Sequence, residues 1–377
     1  MRVWLCMVKT DPHDHHLYRI RLGELRELSI AAGYDAVGST IQVSPKENVA
    51  FMLGRGKLEE VRQQAAENSV EAVIFYNMLT SKQKYNLERI LGVEVLDMYD
   101  LTLKIFDISS SDRLSKLQIR LARLLKEIPY QKLLASIRFK TGREHPGPRS
   151  LGEYAYHETV AGLLKRKSMI QAEIEKRRLE KLSQLKRRRE TGIPTVCISG
   201  YYNAGKTTLF NALTNLDKPV SPRPFTTLTS KYYLLPHRRC EVFLVDTIGF
   251  IIDLDPRLIA SFSITLDDIR FSDLVMLTVD VSDPSDLLLL RIKTCLDILR
   301  SLKVKDKRIL LVFNKCDLAA GSEEVKLKID RAYPLIHDLP YCLVSAKLRK
   351  GLDELMDLVA SRLDNLAEPV LQESMFS

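Results

Sequence analysis

The sequence has little cysteine, few aromatic residues and no long apolar run. Its six cysteines are scattered over positions 6, 197, 240, 295, 316 and 342, with no CxxC or CxH spacing among them. This argues against a disulfide framework or a zinc site and is typical of a reducing cytoplasm. No apolar stretch approaches the ~18 residues that a membrane span needs, and the first residues lack the segments of a signal peptide. We therefore expect a cytoplasmic protein with no membrane partner.

The length and the charge distribution are more informative. A chain of 377 residues with 45% hydrophobic content can form two or three domains with real cores. Residues 165–190 hold eleven Lys or Arg against four Glu, a net +7 that accounts for most of the +9 of the chain. Such a run is commonly a solvated helix face, but its one-sidedness favours a polyanion such as RNA. Because aromatic residues are sparse there, we predict phosphate-backbone contacts by Lys186, Arg187, Arg188 and Arg189.

A glycine-rich segment, Gly200-Tyr-Tyr-Asn-Ala-Gly-Lys-Thr207, has the spacing of a phosphate-binding loop. It follows a strand-like run at 195–199 and precedes helical spacing at 208–213, which is the context that this motif requires. Lys206 would reach the β- and γ-phosphates, and the Thr207 hydroxyl would bind Mg²⁺. The loop predicts nucleotide contacts by Asn203, Ala204, Gly205, Lys206, Thr207 and Thr208.

Three further motifs, each after a strand-like run, indicate a guanine nucleotide. Asp246-Thr-Ile-Gly249 offers a carboxylate for Mg²⁺, through water, and a glycine that leaves room for a γ-phosphate. Asn314-Lys-Cys-Asp317 offers a carboxylate that accepts hydrogen bonds from guanine N1–H and the 2-amino group, which adenine lacks. Ser345-Ala-Lys347 would place a backbone N–H near guanine O6 and a lysine stem on the base. The predicted ligands are GTP and GDP, and the motifs add Asp246, Gly249, Asn314, Lys315, Asp317, Ser345, Ala346 and Lys347 to the predicted contacts.

These motifs and their flanking residues resemble those of the HflX-type GTPases, a ribosome-associated family of the translation-factor class. Asp246-Thr-Ile-Gly-Phe250 is similar to the family's DTVGF, Phe225-Thr-Thr-Leu228 to its FATL segment, and Gly54-Arg-Gly-Lys-Leu-Glu-Glu60 to its GxGKxEE. Gly147-Pro148 with Gly152-Glu153 is a diverged form of its RGPGE loop, and Ser263 stands where members often carry Arg. The resemblance covers most of the chain, without the C-terminal domain that some members append.

The resemblance implies a Mg²⁺-sensing switch threonine at Thr227. The expected catalytic residues are then Lys206, Thr227 and Gly249, and the expected Mg²⁺ ligands are Thr207, Thr227 and Asp246. Phe250 stands where Ras-type enzymes have the glutamine that orients water, so we expect slow intrinsic hydrolysis. The resemblance also implies association with the large ribosomal subunit and a switch function in ribosome splitting, recycling or stress response.

Asn203 leaves two interpretations open. GTPases with Asn at this point of the loop resemble those in which its side-chain oxygen helps to bind K⁺, which then stabilises transition-state charge. The alternative is an asparagine that only stabilises the loop.

The apolar periodicities predict an α/β fold in four parts. Residues 1–108 alternate between strand-like and helix-like pieces and predict an α/β domain with a mostly parallel sheet. The strand-like pieces are 2–8, 34–43, 70–76 and 93–98, and the helix-like pieces are 17–32, 58–68 and 81–91. Residues 109–190 predict an antiparallel hairpin of two long helices, the first with a heptad stripe from Leu114 to Ile128 and a kink at Pro129. Residues 193–366 predict the P-loop GTPase domain, a mostly parallel sheet flanked by helices, and residues 367–377 a tail.

Two rival functions stay open at this stage, and we expect a monomer in solution. A tRNA-modification or ribosome-assembly GTPase would share the motifs and the basic run, but not the Gly54–Glu60 segment and its domain. An ATP-dependent RNA remodelling enzyme needs a second phosphate loop, for which Gly54-Arg-Gly-Lys57 is a weak candidate beside a flexible loop. The cluster His13-Asp-His-His16 is either a metal site or, as we expect, a solvated loop.

Overall fold

A computed structural model describes the chain except for residues 12, 14, 15, 111, 142–150, 217–230, 237, 254, 320 and 367–377. For residues 138–141, 151–158, 231 and 263 it describes the backbone alone. The chain divides into two compact units, Met1–Arg177 and Arg178–Ser377, and each is described by itself. The four-part division at 1–108, 109–190, 193–366 and 367–377 stays a proposal.

The first unit contains a four-stranded sheet with helices on both faces. Its elements are β1 (Arg2–Lys9), α1 (Leu17–Ala31), β2 (Asp35–Val43), α2 (Arg55–Glu67), β3 (Ala72–Phe75), α3 (Ser81–Leu91), β4 (Glu94–Asp97), α4 (Met98–Ser109), α5 (Arg113–Thr141) and α6 (Leu151–Glu190), the last of which continues into the second unit. The strand order is β2-β1-β3-β4, and every pair is parallel, as predicted. Strand β1 is buried over almost its whole length because crossover helices cover both sheet faces.

Helix α4 is the one element of this unit that the periodicity does not predict. Its side chains from Met98 to Phe106 are buried except for the half-exposed Asp100 and Lys104, so its polar stripe is narrow and easily missed. It also begins directly at the end of β4, where the Asp97 side chain accepts a hydrogen bond from the Asp100 N–H. Strand β4 and helix α4 therefore form one largely apolar run in the sequence, and only the Asp97 cap marks where the helix begins.

Helices α5 and α6 pack together in an antiparallel arrangement. Leu124 and Ile128 of α5 share an apolar cluster with Leu163 of α6, and Arg113 pairs with Glu173 at 2.6 Å. Later residues of α5 thus lie against earlier residues of α6. Helix α5 runs through Pro129 as one element, and α6, with 40 residues, is about 60 Å long.

The second unit has a six-stranded sheet that positions the nucleotide motifs. Its elements after α6 are β5 (Thr195–Gly200), α7 (Lys206–Thr214), β6 (Lys231–Pro236), β7 (Glu241–Asp246), α8 (Pro256–Ser261), α9 (Ser263–Phe271), β8 (Leu274–Asp280), α10 (Ser285–Ser301), a 3₁₀ turn (Asp306–Arg308), β9 (Ile309–Asn314), α11 (Ser322–Ile336), β10 (Tyr341–Leu343) and α12 (Leu352–Leu366). The order is β10-β9-β8-β5-β7-β6, with only β6 antiparallel. The predicted α/β class with a mostly parallel GTPase sheet is confirmed. Because parallel strands end at the same edge, the four motifs converge there.

Candidate nucleotide-binding site

The phosphate loop connects β5 to α7, and two of its glycines are required by its geometry. Gly200 has φ 140° and Gly205 has φ 88°. A Cβ on Gly200 would lie 2.1 Å from the Thr278 carbonyl oxygen, and one on Gly205 would lie 2.3 Å from Asn314 Nδ2. Neither backbone conformation nor neighbouring atoms therefore leave room for a side chain. Asn203, exposed at the tip, takes the left-handed conformation with φ 59°.

Lys206 lies buried in the floor of this loop. Its Nζ donates a hydrogen bond to the Tyr201 carbonyl oxygen at 2.6 Å. Burial lowers the pKa of the Lys206 ammonium to about 8, and the nearby Asp246 carboxylate opposes that shift. A buried cation at the start of α7, where backbone N–H groups lack helical partners, is suited to bind phosphate.

The predicted Mg²⁺ ligands Thr207 and Asp246 lie side by side. Asp246 is fully buried at the end of β7, and the Thr207 hydroxyl donates to its Oδ2 at 3.2 Å. A hydroxyl and a carboxylate are hard oxygen ligands of the kind that Mg²⁺ prefers, and Mg²⁺ sites commonly use few protein ligands beside phosphates and water. These two residues therefore fit the ion. Thr227, the third predicted ligand, lies outside the described residues.

The segment that follows Asp246 is bound to the phosphate loop. The Phe250 N–H donates to the Gly200 carbonyl at 3.0 Å, and the Tyr202 N–H donates to the Phe250 carbonyl at 2.9 Å. A Cβ on Gly249 would lie 2.8 Å from Lys206 Nζ, so this position also needs glycine. The Phe250 side chain is fully buried, and it neither reaches solvent nor offers a hydrogen bond to a water molecule.

On the guanine side, Asn314 connects three of the motifs. Its Nδ2 donates to the Ala204 carbonyl at 2.9 Å, and its Oδ1 accepts from the Ala346 N–H at 3.0 Å. The Ala346 N–H, predicted to approach guanine O6, is thus engaged with Asn314. Because both amide groups are used, Asn314 holds the phosphate loop and the Ser345–Lys347 segment at a fixed separation.

Asp317 is held by a side chain from a different strand end. The fully buried Ser345 donates its hydroxyl to Asp317 Oδ1 at 2.5 Å and accepts from the Leu348 N–H at 3.1 Å. This orients the carboxylate predicted to select guanine. Thr208 and Lys347 lie together in the lining of a cleft of about 350 Å³.

Lys315, one of the predicted nucleotide contacts, is paired with a carboxylate outside the four motifs. Its Nζ donates to Asp280 Oδ2 at 2.5 Å, so the ammonium is paired with a residue at the end of β8. Asp280 was not among the predicted site residues, although a carboxylate at the end of a buried strand is the signal that identified Asp246.

The predicted RNA-contact residues fall into two pairs. Lys186 and Arg187 are exposed. The Arg188 guanidinium lies 3.4 Å from the ring centre of Tyr232, and Arg189 donates to the carbonyl of Phe271 at 3.2 Å. The second pair therefore makes contacts within the second unit.

The other candidate motifs have internal partners or lie partly outside the described residues. The Gly54 N–H donates to Gln42 Oε1 at 2.8 Å, and Lys57 pairs with Glu60 at 2.6 Å. The segment His13–His16 includes residues outside the described part of the chain. Among the residues that the structure describes, no group of three or more His, Cys, Asp or Glu side chains is placed to hold a metal ion. In that same part, no helix is long and apolar enough to cross a membrane.

The fold and the site together define a P-loop GTPase with guanine-recognition motifs. Residues 19–107 match the family model described as GTP-binding GTPase N-terminal, and residues 195–315 match the model described as 50S ribosome-binding GTPase. The GTPase HflX of Thermofilum pendens is 38% identical over 344 residues, which cover 91% of this chain and 80% of that protein. The GTPase HflX of Hyperthermus butylicus is 31% identical over 370 residues, which cover 96% of each. The chain belongs to the HflX family of GTPases.

A solved structure also resembles this chain. It is a GTP-binding protein from Sulfolobus solfataricus in complex with GDP, 26% identical, with a TM-score of 0.46 over 97% of this chain and 100% of that one. Family membership confirms the predicted resemblance and activity: the protein binds GTP and hydrolyses it to GDP and phosphate.

Proposed function

We propose that this GTPase associates with the large ribosomal subunit and acts there, in the cytoplasm, as a nucleotide-dependent switch in ribosome splitting, recycling or stress response. The observation that carries the proposal is the match of residues 195–315 to a family described as 50S ribosome-binding GTPase. The net +7 of residues 165–190 supports it, because ribosomal RNA is the polyanion that such a partner presents. We propose that the protein is a monomer before it binds the subunit.

We propose Lys186, Arg187, Arg188 and Arg189 as the RNA contacts, with Lys186 and Arg187 as the principal ones. These two are exposed on α6 and no internal contact is seen for them among the described residues, whereas the half-buried Arg188 and the exposed Arg189 contact Tyr232 and Phe271. Exposed cations can approach phosphates without first losing an internal partner. Arg188 and Arg189 then fix the end of the helix that carries Lys186 and Arg187.

In the nucleotide cycle, the catalytic residues are Lys206, Thr227 and Gly249. Lys206 neutralises charge on the β- and γ-phosphates, and the Gly249 backbone approaches the γ-phosphate because the residue has no side chain. Thr207 and Asp246 would hold Mg²⁺, with Thr227 as the switch ligand; when bound, the ion offsets charge on the phosphate oxygens.

We further propose a K⁺ site at Asn203. Its exposed position at the loop tip leaves its amide oxygen accessible to a cation beside the phosphates. GTP turnover in KCl and NaCl at equal ionic strength tests this. Faster turnover in KCl, lost in Asn203→Ala, is expected, and equal rates would leave Asn203 as a loop-stabilising residue.

Cosedimentation with purified large subunits tests the central proposal. We expect the protein to pellet with subunits more strongly with a non-hydrolysable GTP analogue than with GDP. Lys186→Ala with Arg187→Ala should weaken this binding and flatten its salt dependence, since each lost phosphate contact removes somewhat under one unit from the log–log slope. Lys305→Ala with Lys307→Ala removes two other exposed cations and serves as the matched control. Absence of the wild-type protein from the pellet in both nucleotide states would reject the proposal.

A further inference from the structure

We infer that Asp280 is a positioning residue of the nucleotide site and acts through Lys315. Asp280 ends the buried strand β8, and its Oδ2 accepts a hydrogen bond from Lys315 Nζ at 2.5 Å. The side chains of the pair are 8% and 23% exposed, so solvent screens their attraction only in part. Asp280 lies in no sequence motif of the site.

The Asp280 carboxylate is itself rigidly held. Its Oδ1 accepts from the Ser282 N–H at 3.0 Å and from the Ser282 hydroxyl at 2.5 Å. Asp280 pairs with Asn314 in the β8–β9 register, and the Val281 N–H donates to the Asn314 carbonyl at 3.0 Å. Both carboxylate oxygens are used, which leaves Asp280 one orientation and gives Lys315 a fixed anchor.

Lys315 has a backbone that needs such an anchor. It has φ 62°, a left-handed conformation that is strained for a residue with a side chain. Its Cε lies 3.9 Å from the position that a Cβ on Gly205 would take, so its stem passes the phosphate loop while its charge is fixed at the end of β8. The Lys315 stem is therefore held beside the phosphate loop, and its ammonium is fixed by Asp280.

This arrangement predicts an effect on affinity without an effect on chemistry. GTP and GDP both need the phosphate loop, and the Lys315 stem lies beside the Gly205 turn of that loop. Lys206, Gly249 and the Thr207–Asp246 pair, which serve the phosphates, make no contact with Asp280 among the hydrogen bonds and ion pairs of the described residues. Loss of the anchor should weaken both nucleotides equally and leave turnover at saturation unchanged.

Asp280→Asn tests the inference, because the amide keeps the shape and loses the charge that holds Lys315. By calorimetry we expect about tenfold weaker binding of GDP and of a non-hydrolysable GTP analogue, with KM for GTP raised to match and kcat within about twofold. In a double-mutant cycle with Lys315→Met, the double variant should bind GDP no more weakly than the single variant with the lower affinity. Unchanged affinity in Asp280→Asn, or additive losses in the cycle, would overturn the inference.

Asp283→Asn is the matched control. Asp283 is a second, largely buried carboxylate in the same turn. It forms its ion pair with Arg291 at 2.6 Å, and Lys315 affects it only as a neighbouring charge. Its loss should leave nucleotide affinity within about twofold; an equal loss of affinity would indicate a general collapse of the turn and overturn the inference. If Asp280→Asn fails to fold by circular dichroism, Asp280→Glu decides: it retains the charge and should bind GDP more tightly than folded Lys315→Met, and equal binding would overturn the inference.

Discussion

At the residue scale, guanine preference depends on the Asp317 carboxylate, which Ser345 holds at 2.5 Å. We expect Asp317→Asn to lose affinity for GDP by about 10- to 100-fold, the equivalent of one hydrogen bond to a charged group. The variant should gain affinity for xanthosine diphosphate, because the amide donates to the xanthine 2-oxo group. Calorimetry with both nucleotides measures these affinities, and the wild type should show no binding of ATP in the same experiment. If Asp317→Asn binds GDP as tightly as the wild type does, the assignment of Asp317 to guanine recognition is rejected.

The lowered pKa of Lys206 predicts that the protein takes up a proton when it binds a nucleotide. Burial lowers the pKa of Lys206 to about 8, and bound phosphates would raise it again. Between these two pKa values the bound state holds more protons than the free state, so affinity should fall as pH rises above about 8, by up to about tenfold per unit. At pH 8.5 the calorimetric enthalpy of GDP binding should depend on the ionisation enthalpy of the buffer, and far less so at pH 7. Equal enthalpies in two buffers at pH 8.5 would contradict this.

The motif spacing allowed most of the site to be predicted, because backbone loops around phosphates tolerate only certain residues. Gly200 and Gly205 show this directly, since a Cβ at either position would collide with the next strand end. The partners that orient the motif side chains could not be predicted. The Ser345–Asp317 and Asp280–Lys315 pairs each join residues more than 25 positions apart, and sequence spacing carries no information on such contacts.

At the element scale, the last turns of α6 are anchored to α9 and β6 by a buried polar cluster. Lys181 Nζ donates to the Ile264 carbonyl at 2.6 Å and to Asp268 Oδ2 at 2.7 Å. The Tyr232 hydroxyl also donates to Asp268, and the Arg188 guanidinium stacks on the Tyr232 ring. Asp268 and Tyr232 follow, in the chain, the two segments expected to sense the nucleotide.

This cluster makes Lys181 important for stability. Lys181→Met leaves the nearly fully buried Asp268 without its cation, and breaking a buried pair in this way commonly costs about 3–5 kcal/mol. We expect a fall of about that size in the free energy of unfolding, measured by urea denaturation. Lys176→Met, at an exposed position of the same helix, should change it by less than about 0.5 kcal/mol. Similar denaturation midpoints for the two variants would show that water replaces the Lys181 contact.

The elements themselves were largely predictable, with exceptions that have physical causes. Amphipathic spacing identified α1 and α3 to within a residue or so of their observed ends. It failed for α4, which is mostly buried and has only a narrow polar stripe at Asp100 and Lys104 to set a period. The heptad stripe of α5 predicted packing against α6, and Leu124 and Ile128 do contact Leu163. The stripe gave no account of Ile119 and Ala122, which are also buried.

At the scale of the whole molecule, the protein carries a GTPase site with phenylalanine in place of the water-orienting glutamine and a long helix with most of the net charge. Phe250, in the position of the water-orienting glutamine, is fully buried and tied to the phosphate loop through its backbone. The isolated protein should therefore turn over GTP well below the ~1–100 s⁻¹ of enzymes with a complete site. A partner that orders the site is the simplest way to accelerate it.

The positive charge of α6 makes the large ribosomal subunit the partner to test. We expect large ribosomal subunits to raise the GTP turnover number, and Lys186→Ala with Arg187→Ala to require more subunits for half-maximal stimulation, because these exposed cations would dock the helix on RNA phosphates. GTP affinity without subunits should stay unchanged, since both residues precede the phosphate loop and contact no motif. Lys305→Ala with Lys307→Ala should be stimulated like the wild type. If both double variants have the same dependence on subunit concentration across a salt series, the charge of α6 serves only to solvate that face of the helix.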